Sequence, residues 1–277
     1  MNTRKAIADA TDRLTESGCT TPRLDAEILL MHAWDITRSE LIIHMNDEIP
    51  SGVSTQFGQM LERRGRREPI AYITGEKEFW SRPFQIDPRV LIPRPETEHL
   101  IESLIRLYPD RQTAFRFCDI GTGSGCIAVT LACEYPNAHI IATDISEDAL
   151  DVAMANADRH KARIDFRNGG LFDALTEEDG IFDAILSNPP YVALEEYAGL
   201  EAELSHEPRL ALTDEADGLR YLQPLVDQSP AWLRAGGYLI VETGLCGLPD
   251  STDCMQLQEK IDDLAGHLRG GIFRLRN

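Results

Sequence analysis

Hydrophobic residues recur along this chain at two different spacings. In the first 70 residues the spacing is that of helices: Ile7, Ala10 and Leu14 share one face of a predicted helix over residues 3–17. Three further helices begin at recognisable signals, namely Thr21 before Pro22, a Thr37–Glu40 capping box, and Ser51 ahead of the apolar stripe Phe57, Met60 and Leu61. The pattern therefore predicts a small helical bundle.

From about residue 114 short apolar runs alternate with helical segments. The predicted strands are FRFCDI, HIIATDI, RIDFRN, FDAILS and GGYLIVET, and the predicted helices are CIAVTLACEY, EDALDVAMANADRH and LRYLQPLVDQSPAWL. Strands that alternate with helices predict a parallel sheet covered by helices on both faces. In such sheets ligands bind at the carboxyl ends of the strands, where the strand order reverses.

Between these two regions the period changes. Phe79, Phe84 and Ile86 lie in short extended pieces on either side of a turn, which predicts a β-hairpin over residues 77–87. Pro95 then sits at the start of a helix with Glu96 and Glu98 in its first turn. We therefore expect a helical domain over residues 1–76, a hairpin linker over 77–88 and an α/β domain over 89–277.

Charge is distributed unevenly over the 277 residues, whose formal net charge is −19. Residues 1–88 contain 11 basic and 14 acidic side chains, and residues 89–277 contain 16 basic and 32 acidic ones. Non-specific binding to a phosphate backbone requires a basic surface. The acidic α/β region therefore argues against a nucleic-acid partner and favours a basic protein partner.

The remaining composition excludes several classes of protein. No apolar run approaches the ~20 residues of a transmembrane helix, and the N-terminus lacks the apolar core of a signal peptide. The six cysteines contain no CxxC pair, and the seven histidines contain no HxxxH spacing. We expect a cytoplasmic monomer without membrane contact, disulfide framework or metal site.

A glycine loop follows the first buried strand of the α/β region and opens a helix. Its residues are Asp119, Ile120, Gly121, Thr122, Gly123, Ser124 and Gly125. The G-x-G-x-G spacing differs from the G-x-G-x-x-G that seats a dinucleotide pyrophosphate on a helix N-terminus. A ligand without phosphate, such as S-adenosylmethionine, fits the loop better, and the Asp119 carboxylate is placed to meet its ammonium group directly or through water.

Asp144 ends the next strand, 23 residues after Gly121. An acidic residue at this place accepts hydrogen bonds from both hydroxyls of a ribose. Nicotinamide enzymes also place glycines and an acid in this arrangement, so these two features alone leave both classes of cofactor open.

The sequence Ser187-Asn188-Pro189-Pro190-Tyr191 ends the strand FDAILS. Two prolines fix φ and donate no backbone hydrogen bond, so the chain stops here with two rigid acceptors, the Asn188 side-chain oxygen and the Pro189 carbonyl. These suit the two hydrogens of a planar –NH2 group. Such a group is a poor nucleophile, and its orientation toward an electrophile provides much of the catalysis. Tyr191 adds an aromatic surface beside it.

The combination of motifs resembles the HemK/PrmC family of release-factor glutamine methyltransferases over roughly residues 20–244. The matching segments are REP at 67–69, AYITG at 71–75, EFW at 78–80, VLIPRPETE at 90–98, DIGTGSG at 119–125, NPPY at 188–191 and EPRLAL at 207–212. NPPY is shared with DNA and RNA amino-methyltransferases, whereas its combination with LIPRPETE is far more specific.

The resemblance implies a Rossmann-like class I methyltransferase domain joined by a hairpin to a helical substrate-recognition domain. It implies methyl transfer from S-adenosylmethionine, leaving S-adenosylhomocysteine, to the glutamine of the Gly-Gly-Gln loop in class I peptide-chain release factors, in support of translation termination. By position, residues 121–125 and Asp144 line the cofactor and Leu171 covers the adenine. Asn188 contacts cofactor and substrate, and residues 188–191 bind the glutamine, with Asn188, Pro189 and Tyr191 as the catalytic set.

Two departures from the family pattern affect this expectation. Gly170 occupies the position where the family has an aspartate beside the adenine, so Asn168 or backbone groups are the alternatives for a polar contact. The segment over residues 245–256 is short and contains Pro249. We expect no helix there and a reduced sheet edge, followed by a strand, a turn and a strand in the tail.

Four other functions remain to be weighed against this one. A ribosomal-protein glutamine methyltransferase is the nearest, but that group tends to lack the second proline of LIPRPETE, which is Pro95 here. A nucleic-acid adenine or cytosine amino-methyltransferase needs a basic surface. A cofactor-binding scaffold without activity has no need of Asn188. A nicotinamide dehydrogenase needs the missing third glycine position.

Overall fold

The computed structural model describes residues 2–276. Contacts between residues divide the chain into two units. The first ends at Glu76 and also contains Glu201–His206, and the second comprises Lys77–Leu200 and the chain from Glu207 onward. The domain boundaries expected from the sequence placed residues 201–206 with the α/β region. They group with the helical unit because Glu203 forms ion pairs with Arg64 at 2.9 Å and Arg67 at 2.5 Å.

The first unit is the predicted helical bundle. Its helices are α1 (Thr3–Glu16), α2 (Pro22–Trp34), α3 (Arg38–Ile43), α4 (Ser51–Gly65) and α5 (Ile70–Thr74). Their core contains the predicted apolar stripes of α1 and α4, and all six of those side chains are buried. Burial of these stripes against one another supplies the hydrophobic free energy that holds so small a unit together.

Helix starts in this unit follow their sequence signals with one exception. The capping box of α3 is present, with the Thr37 hydroxyl accepting from the Glu40 amide and the Glu40 carboxylate accepting from the Thr37 amide. Pro22 begins α2 as predicted, but the Thr21 side chain does not cap the helix. Its hydroxyl donates to Asp25 at 2.8 Å, and this buried carboxylate, which also binds Arg64, holds the Thr21 side chain where it accepts from no amide of the helix.

The predicted hairpin consists of β1 (Glu76–Phe79) and β2 (Arg82–Gln85). Its two turn residues, Trp80 and Ser81, both have positive φ, as a tight hairpin turn requires. The hairpin is fixed within the second unit by buried Phe79 and Phe84. Asn156 adds hydrogen bonds to the Gln85 amide, the Gln85 carbonyl and the Ser124 carbonyl, so the hairpin is connected through one side chain to the glycine loop.

The second unit is built on a seven-stranded sheet, which confirms the predicted α/β class. Its strands are β3 (Arg116–Ile120), β4 (His139–Asp144), β5 (Asp165–Asn168), β6 (Phe182–Ser187), β7 (Leu233–Glu242), β8 (Met255–Asp262) and β9 (Leu268–Leu275). Their order is β5-β4-β3-β6-β7-β9-β8. The first five in this order are parallel and β9 is antiparallel to both of its neighbours. The strand order reverses at β3, which locates a binding cleft at its carboxyl end.

The helices of this unit are α6 (Glu98–Leu107), α7 (Cys126–Glu134), α8 (Glu147–His160), α9 (Leu194–Tyr197), α10 (Arg209–Leu212) and α11 (Leu222–Gln228). Ser146 caps α8 as predicted. The helix predicted over LRYLQPLVDQSPAWL is shorter than expected, because α11 ends before Pro230, whose ring and missing N–H end the regular hydrogen bonding. A short 3-10 turn, Pro95–Thr97, precedes α6.

The tail forms the predicted strand, turn and strand. No helix lies between Glu242 and Met255, as we expected for this short segment. Strands β8 and β9 are nevertheless eight residues long each. The expected reduction of this sheet edge is therefore the missing helix, and the strands themselves are not short. Between residues 2 and 276, no helix combines the length and apolar composition that a membrane span requires.

Candidate functional site

A cleft of about 220 Å³ lies at the carboxyl ends of β3, β4 and β6, entirely within the second unit. Its walls come from five segments: residues 89–97 before α6, the glycine loop, the end of β4 with the start of α8, residues 169–171, and residues 187–190 after β6. Pro208, Leu210 and Ala211 complete the rim. The predicted cofactor loop, Asp144, Leu171 and the first three residues of NPPY therefore meet at one place, as the parallel topology requires.

The glycines of the loop have two distinct roles. All three have positive φ, between 54° and 79°. A Cβ added at Gly121 or Gly123 would meet no atom within 4 Å, whereas one at Gly125 would lie 3.1 Å from Ala153. Gly121 and Gly123 thus present bare backbone to the open cleft, and Gly125 allows α7 to approach α8.

Asp119 lies beneath this loop. Its Oδ2 accepts from the Thr122 hydroxyl at 2.6 Å and from the Ala128 amide at 3.2 Å, and the residue has no exposed surface. It does not line the cleft, so this position argues against the direct ligand contact expected from the sequence. Burial raises the pKa of Asp119 to about 7, and its Oδ1 has no partner among residues 2–276.

Thr122 and Ser124 do line the cleft, although both are almost fully buried. The Thr122 hydroxyl is engaged with Asp119, and the Ser124 carbonyl accepts from Asn156. The Thr122 side chain and the Ser124 backbone carbonyl therefore hold the loop in shape, and what these residues offer a ligand is mainly the loop surface.

Asp144 is held by backbone amides at the end of β4. Its Oδ2 accepts from the Gly123 amide at 2.8 Å and its Oδ1 from the Ser146 amide at 2.9 Å. Burial raises its pKa, and these amide donors oppose the shift. Each carboxylate oxygen accepts more than one hydrogen bond. The fixed carboxylate can therefore also accept from two neighbouring hydroxyls of a ligand.

Residues 169–171 form the wall expected beside an adenine. Leu171 lines the cleft with a positive φ of 47°. A Cβ at Gly169 would clash with Ala174 at 2.8 Å, whereas one at Gly170 would meet nothing closer than 3.6 Å. The Asn168 side chain donates to the carbonyls of Asp144 and Ile145 and lies outside the cleft wall. Of the two alternatives for a polar adenine contact, only backbone groups remain.

Asn188 follows β6 at the centre of the cleft edge. Its Nδ2 donates to the Thr97 hydroxyl at 3.0 Å. This bond fixes the orientation of the amide and leaves its Oδ1 as the acceptor that the sequence predicts. Pro189 and Pro190 line the same wall.

Tyr191 differs from its predicted place. It does not line the cleft, and its hydroxyl donates to Glu242 Oε1 at 2.8 Å. Its ring lies against Gly244, where a Cβ would come within 2.8 Å of the ring carbons. Burial and the neighbouring Glu242 carboxylate raise the pKa of Tyr191 far above its ordinary value. The aromatic surface predicted for ligand contact is therefore used in packing.

Sequence reasoning missed three contributors to the site. Thr97 orients Asn188, and Glu242 at the end of β7 is buried beside Tyr191. Glu207, also buried, accepts from the Ile92 amide at 3.0 Å and from Arg94 at 2.6 Å, which joins the segment before α6 to the rim after residue 206. The available signals were a lone acid at the end of an apolar strand and the polar run RPETE at 94–98, which contains three charged residues. No group of three His, Cys, Asp or Glu residues within 2–276 could hold a metal ion.

Comparison with known proteins gives two family matches. Residues 5–75 match the PrmC N-terminal domain and residues 97–217 match the methyltransferase small domain. A protein of Neisseria gonorrhoeae named release factor glutamine methyltransferase is 40% identical over 80% of this chain and 81% of its own length. A protein of the same name from Nitratidesulfovibrio vulgaris is 39% identical over 98% and 94% of the two chains.

Among solved structures, the 16S rRNA methyltransferase RsmC of T. thermophilus in complex with AdoMet and guanosine has a TM-score of 0.52 at 17% identity. It covers 73% of this chain and 50% of its own, and the likeness extends to the fold alone. The two relatives above are covered over 81% and 94% of their own lengths, at 40% and 39% identity. The chain therefore belongs to the release factor glutamine methyltransferase family.

Proposed function

We propose that this protein transfers a methyl group from S-adenosylmethionine to the side-chain nitrogen of a glutamine in a release factor. The observation that carries the proposal is the Asn188 amide, fixed by Thr97 at the cleft edge beside the glycine loop. Family membership supports the same reaction. The finer assignment, the glutamine of the Gly-Gly-Gln loop in class I release factors, rests on the resemblance of the motifs.

The cleft fits S-adenosylmethionine. The open faces of Gly121 and Gly123 accommodate a ligand in contact with backbone, and the amide-held Asp144 carboxylate offers acceptors for the two ribose hydroxyls. Leu171 provides an apolar surface for the adenine. When bound, the cofactor supplies an electrophilic methyl group on a positively charged sulfur.

In the proposed reaction Asn188 Oδ1 and the Pro189 carbonyl accept the two N–H bonds of the substrate amide. This orientation directs the nitrogen face toward the methyl carbon. With the cofactor held by the glycine loop, Asp144 and Leu171, the N–C bond would form as the S–C bond breaks, and the positive charge would pass from sulfur to nitrogen. The nitrogen then loses its proton to water and the neutral N-methyl amide remains. The acceptors favour the charge that develops on nitrogen, which is the main electrostatic contribution of this wall.

A protein substrate also accounts for the charge. The nucleic-acid amino-methyltransferase alternative needs a basic surface, and residues 89–277 contain twice as many acidic as basic residues, 32 against 16. The helical first unit is the available surface for recognition outside the pocket, since a single glutamine side chain is too small to identify one protein. Because release factors work at the ribosome, we place the activity in the cytoplasm.

Incubation with labelled S-adenosylmethionine and a purified class I release factor, followed by mapping of the labelled peptide, tests the proposal. We expect one label, on the glutamine of Gly-Gly-Gln. A ribosomal protein mixture and total RNA serve as competing substrates in parallel reactions. Preferential labelling of either one would overturn the assignment in favour of the corresponding alternative.

A further inference from the structure

Glu242 is a buried carboxylate on the strand next to that of Asn188, and it has no part in the reaction proposed above. In the parallel pairing of β6 and β7, Ser187 is opposite Val241, so the next residues along the two strands are Asn188 and Glu242. Glu242 is 1% exposed. Its Oε1 accepts from Tyr191, and its Oε2 has no hydrogen-bond partner in the described part of the chain.

Thr97 lies between this carboxylate and Asn188. Its hydroxyl accepts from Asn188 Nδ2 at 3.0 Å and keeps its own proton to donate. The hydroxyls of Thr97 and Tyr191 both stabilise the charged form of Glu242. At low dielectric a nearby charge polarises the hydrogen bond that Thr97 accepts from Asn188. Negative charge on Glu242 therefore draws the Thr97 proton toward itself, strengthens the bond from Asn188 Nδ2, and leaves more negative charge on Asn188 Oδ1.

We propose that Glu242 is a positioning residue for methyl transfer, acting through Thr97 to fix the Asn188 amide and to strengthen its oxygen as the acceptor for the substrate nitrogen. This inference rests on the proposed function, because the substrate amide is what Asn188 orients. Glu242 acts through Thr97 and Asn188, which makes its contribution electrostatic and largest in the transition state, when positive charge develops on the nitrogen.

A purely structural role does not require the charge. A glutamine at this place would accept from the Tyr191 hydroxyl equally well, without the cost of burying a carboxylate. A carboxylic acid at this position therefore points to a use for its ionised form.

The surroundings of Glu242 shift its pKa into a pH range in which turnover can be measured. Burial raises its pKa to about 7, Glu96 adds to the shift, and Arg94 opposes it. The charged and titratable groups that face this cluster are Tyr191, Glu96, Arg94, Cys126 and Arg269, the last of which lies 3.6 Å from Glu96. If the ionised carboxylate is the active form, the turnover number rises as the pH passes through about 7.

The test is E242Q, with turnover measured from about pH 6 to about pH 8 at saturating S-adenosylmethionine and release factor. We expect kcat to fall about tenfold at the upper pH, less than the roughly 10²–10³-fold loss for a group that touches the reacting atoms. The KM for release factor should change by less than about twofold, and the rise of kcat through about pH 7 should disappear. T97S should retain more turnover than T97V, because only serine keeps the hydroxyl.

Asp179→Asn is the matched control, because Asp179 is another buried carboxylate of the same unit, paired with Arg167 away from the cleft. It should keep the pH-dependent rise even if it lowers the melting temperature. Asp119, whose pKa is also about 7, is present in the wild type and in E242Q, so a rise in kcat that only E242Q loses is assigned to Glu242. An unchanged kcat and pH profile in E242Q would overturn the inference while leaving the proposed function intact. Absence of methylation by the wild-type protein would instead refute the proposed function.

Discussion

Asn188 illustrates how one hydrogen bond decides what a residue offers to a substrate. A free asparagine side chain can present either its oxygen or its NH2 group to the cleft. The bond from Nδ2 to Thr97 removes that choice and presents the oxygen. The acceptor is thus oriented before the substrate arrives, and no rearrangement is needed at the moment of reaction.

Asn188→Ala should therefore affect turnover more than cofactor binding. The Pro189 carbonyl remains, so one of two preorganised acceptors is lost, and the rate should fall about 10²–10³-fold. Affinity for S-adenosylmethionine, measured by calorimetry, should fall much less, because Asp144 and the glycine loop are untouched. Single-turnover methylation of release factor at the wild-type rate would contradict the role given to Asn188.

Glu242 should lower the stability of the folded protein as the pH rises. Its pKa is 4.5 in an unfolded chain and about 7 when folded, so between these values the folded state holds a proton that the unfolded state releases. Raising the pH through this window therefore favours unfolding, and the full loss, on the order of 3 kcal/mol, is reached above about pH 7. Below about pH 4.5 both states are protonated and the effect is absent.

E242Q removes this titration. The free energy of unfolding of the variant, relative to wild type, should increase from about pH 5 to about pH 8, as measured by denaturant titration at both values. Asp119 also has its pKa raised, from 3.8 to about 7, and it contributes the same trend in both proteins, so the difference between them isolates Glu242. A difference that does not change with pH would show that Glu242 ionises normally in the folded protein.

How far the site could be predicted from sequence depends on the range of the interactions. Asp144 and the glycine loop follow directly from a strand that ends at a turn, and Asn188-Pro189 follows from proline geometry. Thr97 is 91 residues from Asn188, Tyr191 is 51 from Glu242, and Arg94 is 113 from Glu207. Pairings of this range leave no local pattern, so the sequence could indicate that these residues are polar but not which partner each would find.

At the level of elements, the glycines of the loop serve two purposes: Gly125 allows close packing of helices, and Gly123 presents backbone to a ligand. A pair of substitutions tests this division. Gly125→Ala forces a methyl group to within 3.1 Å of Ala153 at a φ of 79°, so it should destabilise the fold by about 1–3 kcal/mol. Gly123→Ala has a similar positive φ but faces open space, so it should cost about 1 kcal/mol of stability and weaken S-adenosylmethionine binding more than Gly125→Ala does.

Thermal melting and calorimetric titration with S-adenosylmethionine, performed on both variants, give the two readouts. The opposite ranking, with Gly123→Ala the less stable variant and Gly125→Ala the weaker binder, would refute the division of roles.

The elements themselves were largely predictable because their signals are local. The capping box of α3, the Ser146 cap of α8 and the apolar strands are confirmed. Two local predictions were wrong. The Thr21 side chain hydrogen-bonds to Asp25 and does not cap α2, and α11 ends before Pro230 and is shorter than predicted. Short helices such as α5 (Ile70–Thr74) are fixed by tertiary packing and have too few residues for a periodic pattern.

On the scale of the whole molecule, the order of residues along the chain differs at one place from their grouping into the two units. After the NPPY wall the chain leaves the second unit at Leu200 and returns at Glu207. The residues between belong to the first unit through Glu203, whose carboxylate binds Arg64 and Arg67, and these two guanidinium groups hold the pKa of Glu203 at about 2. A linear division into domains cannot represent this excursion, because it depends on ion pairs between residues more than 130 positions apart, as for Arg67 and Glu203 at 136.

The division into two units predicts what a fragment containing only the second unit can do. A fragment that keeps the catalytic unit must begin at Lys77 and not at Pro88, because Phe79, Phe84 and the bonds of Gln85 to Asn156 belong to the core of that unit. The fragment over residues 77–277 retains the complete cleft, so its affinity for S-adenosylmethionine should stay within about tenfold of the full chain, that is within about 1.4 kcal/mol. Its activity on intact release factor should be almost lost, because recognition outside the pocket is assigned to the first unit.

A short peptide containing Gly-Gly-Gln is the control substrate, since it fills the pocket and offers little surface beyond it. The ratio of fragment to full-chain activity should be much higher on the peptide than on the intact factor. A fragment that binds the cofactor and methylates both substrates in the same proportion as the full chain would show that the helical unit does not select the substrate. Loss of cofactor binding would show instead that the second unit needs the first to fold, and circular dichroism of the fragment distinguishes that outcome from a defect in recognition.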